Sequence, residues 1–325
     1  MVRRFLLLAV FLTTAARAAE PMVEIGPALA QTRAFAGTTG ESLWPGYGSA
    51  PFGFLLLEPD REILLCRPGA PSGFEPDGDD PATGCPRLRR ARTGLPAGLL
   101  AAMPMFGPPA VIVMGTPTTT GRSRASWLRT ILHEHFHQWQ WSLPDYYGRV
   151  EALDLAGGDK TGMWMLNFPF PYESAPVGAA YAAASNALAD ALEQRGRPGF
   201  AAAFDSYLAA RRRFAASVST REWRYLDFQL WQEGAARWSE IQLGKAYPDQ
   251  AVRDSAVALE KATLASLRKP DLKAQGRELA YPFGAGEAML MSACGPQWRD
   301  AYPKVLGMTA LLETARRSCP ARRHS

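Results

Sequence analysis

The sequence predicts an α+β fold, with a small sheet early in the chain and a mainly helical part after it. Three short apolar runs bounded by turn residues, at 54–57, 63–66 and 110–114, lie in the first third of the chain. From Trp127 onward, apolar residues recur at helical rather than alternating intervals. The 325 residues are 47% hydrophobic and 21% charged, which is enough apolar material for a sizeable core.

The first stretch, MVRRFLLLAVFLTTAARA, has a basic start, an apolar run and a small-residue ending. That order is expected of a secretory signal peptide over 1–18, which makes the mature protein periplasmic or secreted. Removing Arg3, Arg4 and Arg17 lowers the formal charge from +5 to +2. A mature chain so near neutrality has no electrostatic footprint for nucleic acid. The clusters at 87–92 (RLRRAR) and 211–213 (RRR) read as solvated faces.

The runs at 54–57 and 63–66 flank Glu58-Pro59-Asp60-Arg61 and read as a β-hairpin. Stretch 69–83 is rich in turn residues and reads as a surface loop. The uncharged segment 95–115 is long enough to span a bilayer, but four prolines and three glycines interrupt it. A short buried helix, a turn at 107–109 and a buried strand at 110–114 are expected there, with no stable membrane span. Four cysteines in an exported chain point to two disulfides. Of three connectivities, the local pairing Cys66–Cys85 and Cys294–Cys319 is the expectation.

Ser123 or Ser126 is placed to cap a helix over 127–141, which ends at Leu143-Pro144-Asp145. The aromatic, Pro-containing run 163–172 (MWMLNFPFPY) reads as a loop on the core or a wall of a cleft. Helices are expected over 179–194, 200–217, 221–243 and 251–267, with a last one beginning near Gly284. The simplest organisation is an α/β part over 19–157 and a mainly helical part over 158–325.

The predicted helix over 127–141 contains HEHFHQWQ, 133–140, with three of the four histidines. A helix turns about 100° per residue, so positions four apart share a face. His133 and His137 can therefore reach one metal ion, whereas His135 lies about 200° around from His133 and points away. Glu134 sits at the edge of the metal-facing side, where its carboxylate can accept a proton from bound water. Two neutral imidazoles suit Zn²⁺, which brings the pKa of bound water to about 7. A catalytic zinc takes three protein ligands, and His324 lies in the terminal tail, so the third is expected to be a carboxylate. Glu151, Asp154, Glu173, Glu233 and Glu240 are the candidates. Glu233 leads them, because Gly234, Ala235 and Ala236 would let its helix approach the first closely.

HExxH followed by Glu233-Gly234-Ala235-Ala236, an EGxA-like motif, resembles the gluzincins, zinc metallopeptidases whose third ligand is a Glu on a later helix. The resemblance rests on two short motifs. It implies a zincin-like fold, with a small twisted sheet above the HExxH helix and a helical lower part. It also implies His133, His137 and Glu233 as metal ligands, Glu134 as general base, and a peptide or protein as substrate. Position 237 is Arg where thermolysin-like members often carry an Asp, and no spare histidine remains for the oxyanion. Tyr281 is the first candidate for that role, with Tyr225 and Arg237 behind it, and Glu240 is a possible partner of a ligand histidine. The strand at 110–114 is a plausible edge for an extended substrate. The competing reading is a non-catalytic zinc-containing binding or structural protein on the same scaffold.

Overall fold

The computed structural model describes residues 22–319; the expected signal peptide and His324 lie outside them. A helix at Met22–Phe35, which no sequence feature announces, packs Ile25, Ala28 and Leu29 into the core. A six-stranded sheet follows: β1 (Gly53–Leu57), β2 (Arg61–Leu65), β3 (Glu75–Asp79), β4 (Pro86–Ala91), β5 (Leu100–Met103) and β6 (Val111–Gly115). Its spatial order is β3-β4-β2-β1-β6-β5. β1 and β6 are parallel, and every other neighbouring pair is antiparallel.

β1 and β6 are unbroken apolar runs because both faces of the sheet are covered there. Phe54, Leu56, Ile112 and Met114 join the main core beneath the helices. Leu55, Leu57, Val111 and Val113 join a second cluster with Phe74 and Leu88. The main core is continuous from Ile25 to Ala315, so sheet and helices share it.

The expected hairpin is β1–β2, but three expectations in this region are corrected. The turn-rich stretch 69–83 contains β3, whose Asp77 pairs with Arg87 of β4 at 2.9 Å. The 87–92 cluster is only partly solvated. Arg90 and Arg92 converge on Glu62, whose side chain is wholly buried, at 2.7 and 3.4 Å. Burial opposes the Glu62 charge, but hydrogen bonds from Thr93 and the Arg90 charge outweigh it and hold the carboxyl below its usual range. The short helix expected before Gly107 is instead β5. Turns at Pro96 and Pro104 leave too few residues for a stable helix, and the free side of β6 offers backbone partners. β6 is consequently interior, and β5 forms the sheet edge in its place.

The helix carrying the histidines spans Arg124–Ser142 and is capped by Ser123, whose hydroxyl accepts the Ser126 N–H at 3.2 Å. Helices at Ala175–Glu193, Phe200–Ala216 and Gln250–Leu267 match the expected segments closely. The triple arginine divides, with Arg212 and Arg213 exposed and Arg211 buried against Glu287 and Asp227. Run 163–172 is irregular apart from one turn at Trp164–Asn167, and Trp164, Phe168 and Phe170 pack on the core. Cys66 is joined to Cys85 and Cys294 to Cys319. Among the described residues no helix is long and apolar enough to cross a membrane.

Candidate metal centre

The elements that build the site are the HExxH helix, a long helical segment over 220–246, and the helix Ala280–Cys294. The second begins with a capping box between Ser219 and Glu222 and contains one π-turn, Leu230–Gly234, which carries Glu233. Such wide turns displace a side chain from the regular helical track and recur at functional positions. Gly234 is the contact point with the third helix. A Cβ on it would lie 2.4 Å from Gly284 Cα, and one on Gly284 would lie 2.6 Å from Leu230 O. The glycine therefore serves the crossing with the Ala280–Cys294 helix, rather than an approach to the HExxH helix.

His133, His137 and Glu233 come together, all buried. The imidazole Nε2 atoms are 3.2 Å apart, and Glu233 Oε2 lies 3.6 Å from the first and 3.3 Å from the second. The side chains behind them decide which nitrogens carry protons. Gln140 donates its amide to Gln232 O and the Tyr302 hydroxyl, at 3.1 and 2.7 Å. Its Oε1 must then accept from His137 Nδ1, at 2.7 Å, which leaves the His137 Nε2 lone pair facing the cluster. Glu240 Oε2, 3.3 Å from His133 Nδ1, favours the same tautomer there. Its other oxygen accepts from Arg129, one turn earlier on the HExxH helix.

Three buried lone-pair atoms thus converge, and Glu233 Oε2 has no hydrogen-bond donor. Two ligands at tetrahedral positions about 2.05 Å from a zinc ion would be about 3.3 Å apart. The observed separations of 3.2, 3.3 and 3.6 Å fit that spacing, so the group can hold a metal ion. Without a cation, a proton serves instead. Burial disfavours a charged His133, but Glu233 and Glu240 raise its pKa to about 9. Burial likewise opposes the Glu233 charge, yet His137, His133 and Arg277 hold that carboxyl well below the usual range.

Glu134 stays outside the trio, and its Oε2 accepts the backbone N–H of Ala102, on edge strand β5, at 2.7 Å. Tyr281 is in the first turn of its helix rather than before it, with its ring stacked 5.8 Å from that of His133. Arg237 lies over the Tyr281 ring at 5.0 Å and pairs with Glu240 at 3.4 Å. Tyr225 is committed elsewhere: its hydroxyl donates to Met165 O at 3.0 Å and its ring stacks on Phe168. Glu151 and Glu173 are exposed and paired with Lys160 and Lys273, and Asp154 is exposed as well, so none of the three approaches the histidines.

His135 faces the other side of its helix, held by Gln138 Oε1 at 2.9 Å and Tyr47 O at 3.2 Å. Burial lowers its pKa to about 4, which keeps it neutral. It lines a cleft of about 640 Å³ with Arg33, Phe52 and Thr83, on the face away from the trio. This cleft and the chemistry are therefore in different places, and the converging lone pairs identify the site better than the cleft does.

Two residues at the centre have no motif. Arg277 donates to Glu233 Oε1 at 3.2 Å and to the Tyr281 hydroxyl at 3.3 Å. Its position four before Tyr281 is the only sequence hint, since such a pair shares a helix face. Gln140, three after His137, is legible by the same rule. Glu240→Ala and Gln140→Ala are each expected to weaken metal binding by about 10–100-fold, measured by competition with a chromophoric chelator. Unchanged affinity in both variants would remove the orienting role given to these side chains.

No protein-family model, no curated protein and no solved structure matches the chain.

Proposed function

We propose that this protein is an exported zinc metallopeptidase of gluzincin type, and the observation that carries the reading is the convergence of His133, His137 and Glu233 with Glu134 beside them. The sheet with an antiparallel edge strand, the HExxH helix beneath it and a carboxylate from a later helix support a zincin-like architecture. A zinc ion held by the trio would supply Lewis acidity toward a water molecule and a carbonyl oxygen. A structural zinc would take a fourth protein ligand, and among the described residues the group has three members.

Glu134 is the proton carrier in this reading. Its Oε2 is fixed by the Ala102 N–H, which orients the carboxylate without using its second oxygen. It takes a proton from the attacking water and delivers it to the departing amine as the C–N bond breaks. In this reading Tyr281 and Arg277, on the Ala280–Cys294 side of His133, are the donors to the developing oxyanion. β5 is the edge strand next to Glu134, which takes its Ala102 N–H, and the rest of that edge is where an extended peptide would pair.

Glu134→Gln is expected to keep its metal and lose hydrolysis of casein or a mixed peptide library by about 10²–10⁴-fold. Metal content and peptide cleavage are measured on the same samples of both proteins. Full metal occupancy in the wild type with no cleavage of any peptide would sink the peptidase reading and favour a binding protein on this scaffold.

A further inference from the structure

We propose that Arg277 and Gln229 form a carboxylate-binding subsite beside Glu233, so that the preferred substrates are peptides with a free carboxylate close to the scissile bond. The inference rests on the peptidase reading above.

Arg277 is rigidly placed. Its Nη1 donates to Glu233 Oε1 at 3.2 Å and Gln229 Oε1 at 3.0 Å, and its Nη2 to the Tyr281 hydroxyl at 3.3 Å. A guanidinium has five N–H donors, so these three contacts leave two of them, the Nε–H and one on Nη2, for another acceptor. The bond to Arg277 also settles the orientation of the Gln229 amide, because only its oxygen can accept. Gln229 Nε2 is thereby left buried with no partner, in a residue 1% exposed.

Donors left unmatched in a buried position call for an acceptor from outside the chain. The charge balance indicates which kind. Around the trio, Arg129, Arg237 and Arg277 match Glu134, Glu233 and Glu240 in number, so a bound divalent ion leaves two positive charges uncompensated. Glu278, 3.8 Å from Arg277, has a side chain 71% exposed, and solvent screens it. A planar carboxylate matches both the donor set and the charge, and its source is the peptide C-terminus or an acidic side chain.

The test uses the full chain loaded with zinc, carrying Glu134→Gln so that bound peptides are not turned over. Titration calorimetry compares a blocked tripeptide as its free acid, the same peptide as its amide, and an amidated peptide ending in Glu. At least one carboxylate-bearing peptide is expected to bind about tenfold or more tighter than the plain amide. A preference for the free acid identifies the C-terminal carboxylate as the ligand, and a preference for the Glu peptide identifies the side chain. Arg277→Gln should abolish the advantage, and Gln229→Met should reduce it by about threefold or more. Zinc content is measured throughout. If Arg277→Gln loses its metal, Gln229→Met decides, since among the described residues its amide bonds Arg277 and no metal-ligand side chain. Equal binding of all three peptides by a chain that cleaves peptides overturns the subsite and leaves the peptidase reading intact. A carboxylate advantage that survives in Gln229→Met and Arg277→Gln also overturns it. Carboxylate-selective binding lost in the variants, with no cleavage by the wild type, overturns the peptidase reading instead.

Discussion

Glu233→Ala is expected to weaken metal binding by more than about 100-fold, beyond the 10–100-fold expected of an orienting partner, and to retain less than about a tenth of its metal when dialysed beside the wild type against a weak chelator. The reason is geometric. Among the described residues Glu233 Oε2 is the one carboxylate oxygen near both Nε2 atoms, whereas Glu240 reaches only the far side of His133. The substitution also leaves the Arg277 guanidinium without its carboxylate partner, so a lower thermal midpoint is expected in the metal-free chain. Metal analysis of Glu233→Ala beside Glu240→Ala checks the assignment. If Glu233→Ala keeps its metal while Glu240→Ala loses it, the two carboxylates have exchanged roles.

Gly234→Ala is expected to cost about 3 kcal/mol, at the upper end of ordinary overpacking, and to weaken metal binding along with stability. The added methyl would meet Gly284 Cα at 2.4 Å and Gly284 C at 2.5 Å, both backbone atoms that no side-chain rotation can move. The two helices must separate, and the π-turn carrying Glu233 moves with them. Gly178→Ala is the control. There the nearest outside atom is Leu272 Cβ at 3.8 Å, so replacing a helical glycine is expected to be neutral or to stabilise by about 0.5–1 kcal/mol. Urea unfolding with metal titration measures both effects. Equal midpoints for Gly234→Ala and the wild type would show that the crossing relaxes without cost.

Sequence periodicity was most informative where the physics is local. The division of HEHFHQWQ into a facing pair, His133 and His137, and an opposed His135 needs only the helical turn angle, and His135 does lie on the other side of its helix, against Tyr47 and Gln138. β1, β6 and the long helices were legible for the same reason. β5 was not, because four residues of weak preference become a strand only when β6 offers a free edge. The arginines at 87–92 and Arg211 read as solvated because a charged run looks alike whether or not a buried carboxylate faces it. Glu62 and Glu287 are 25 or more positions away from them.

By itself the sequence put His133 and His137 on one helix face, set Glu134 beside them and nominated Glu233, and it favoured, among three connectivities, the local cysteine pairing now seen in the disulfides. Each of these follows from a spacing rule or a short motif. Tertiary structure alone decided that Gly234 serves the crossing with Gly284, that β5 is the edge holding Glu134, that Gln140 fixes the His137 tautomer and that Arg277 pairs with Glu233. Most of these are contacts between elements distant along the chain. Their energies depend on which faces the shared core brings together, and periodicity within one segment carries no information about its partner.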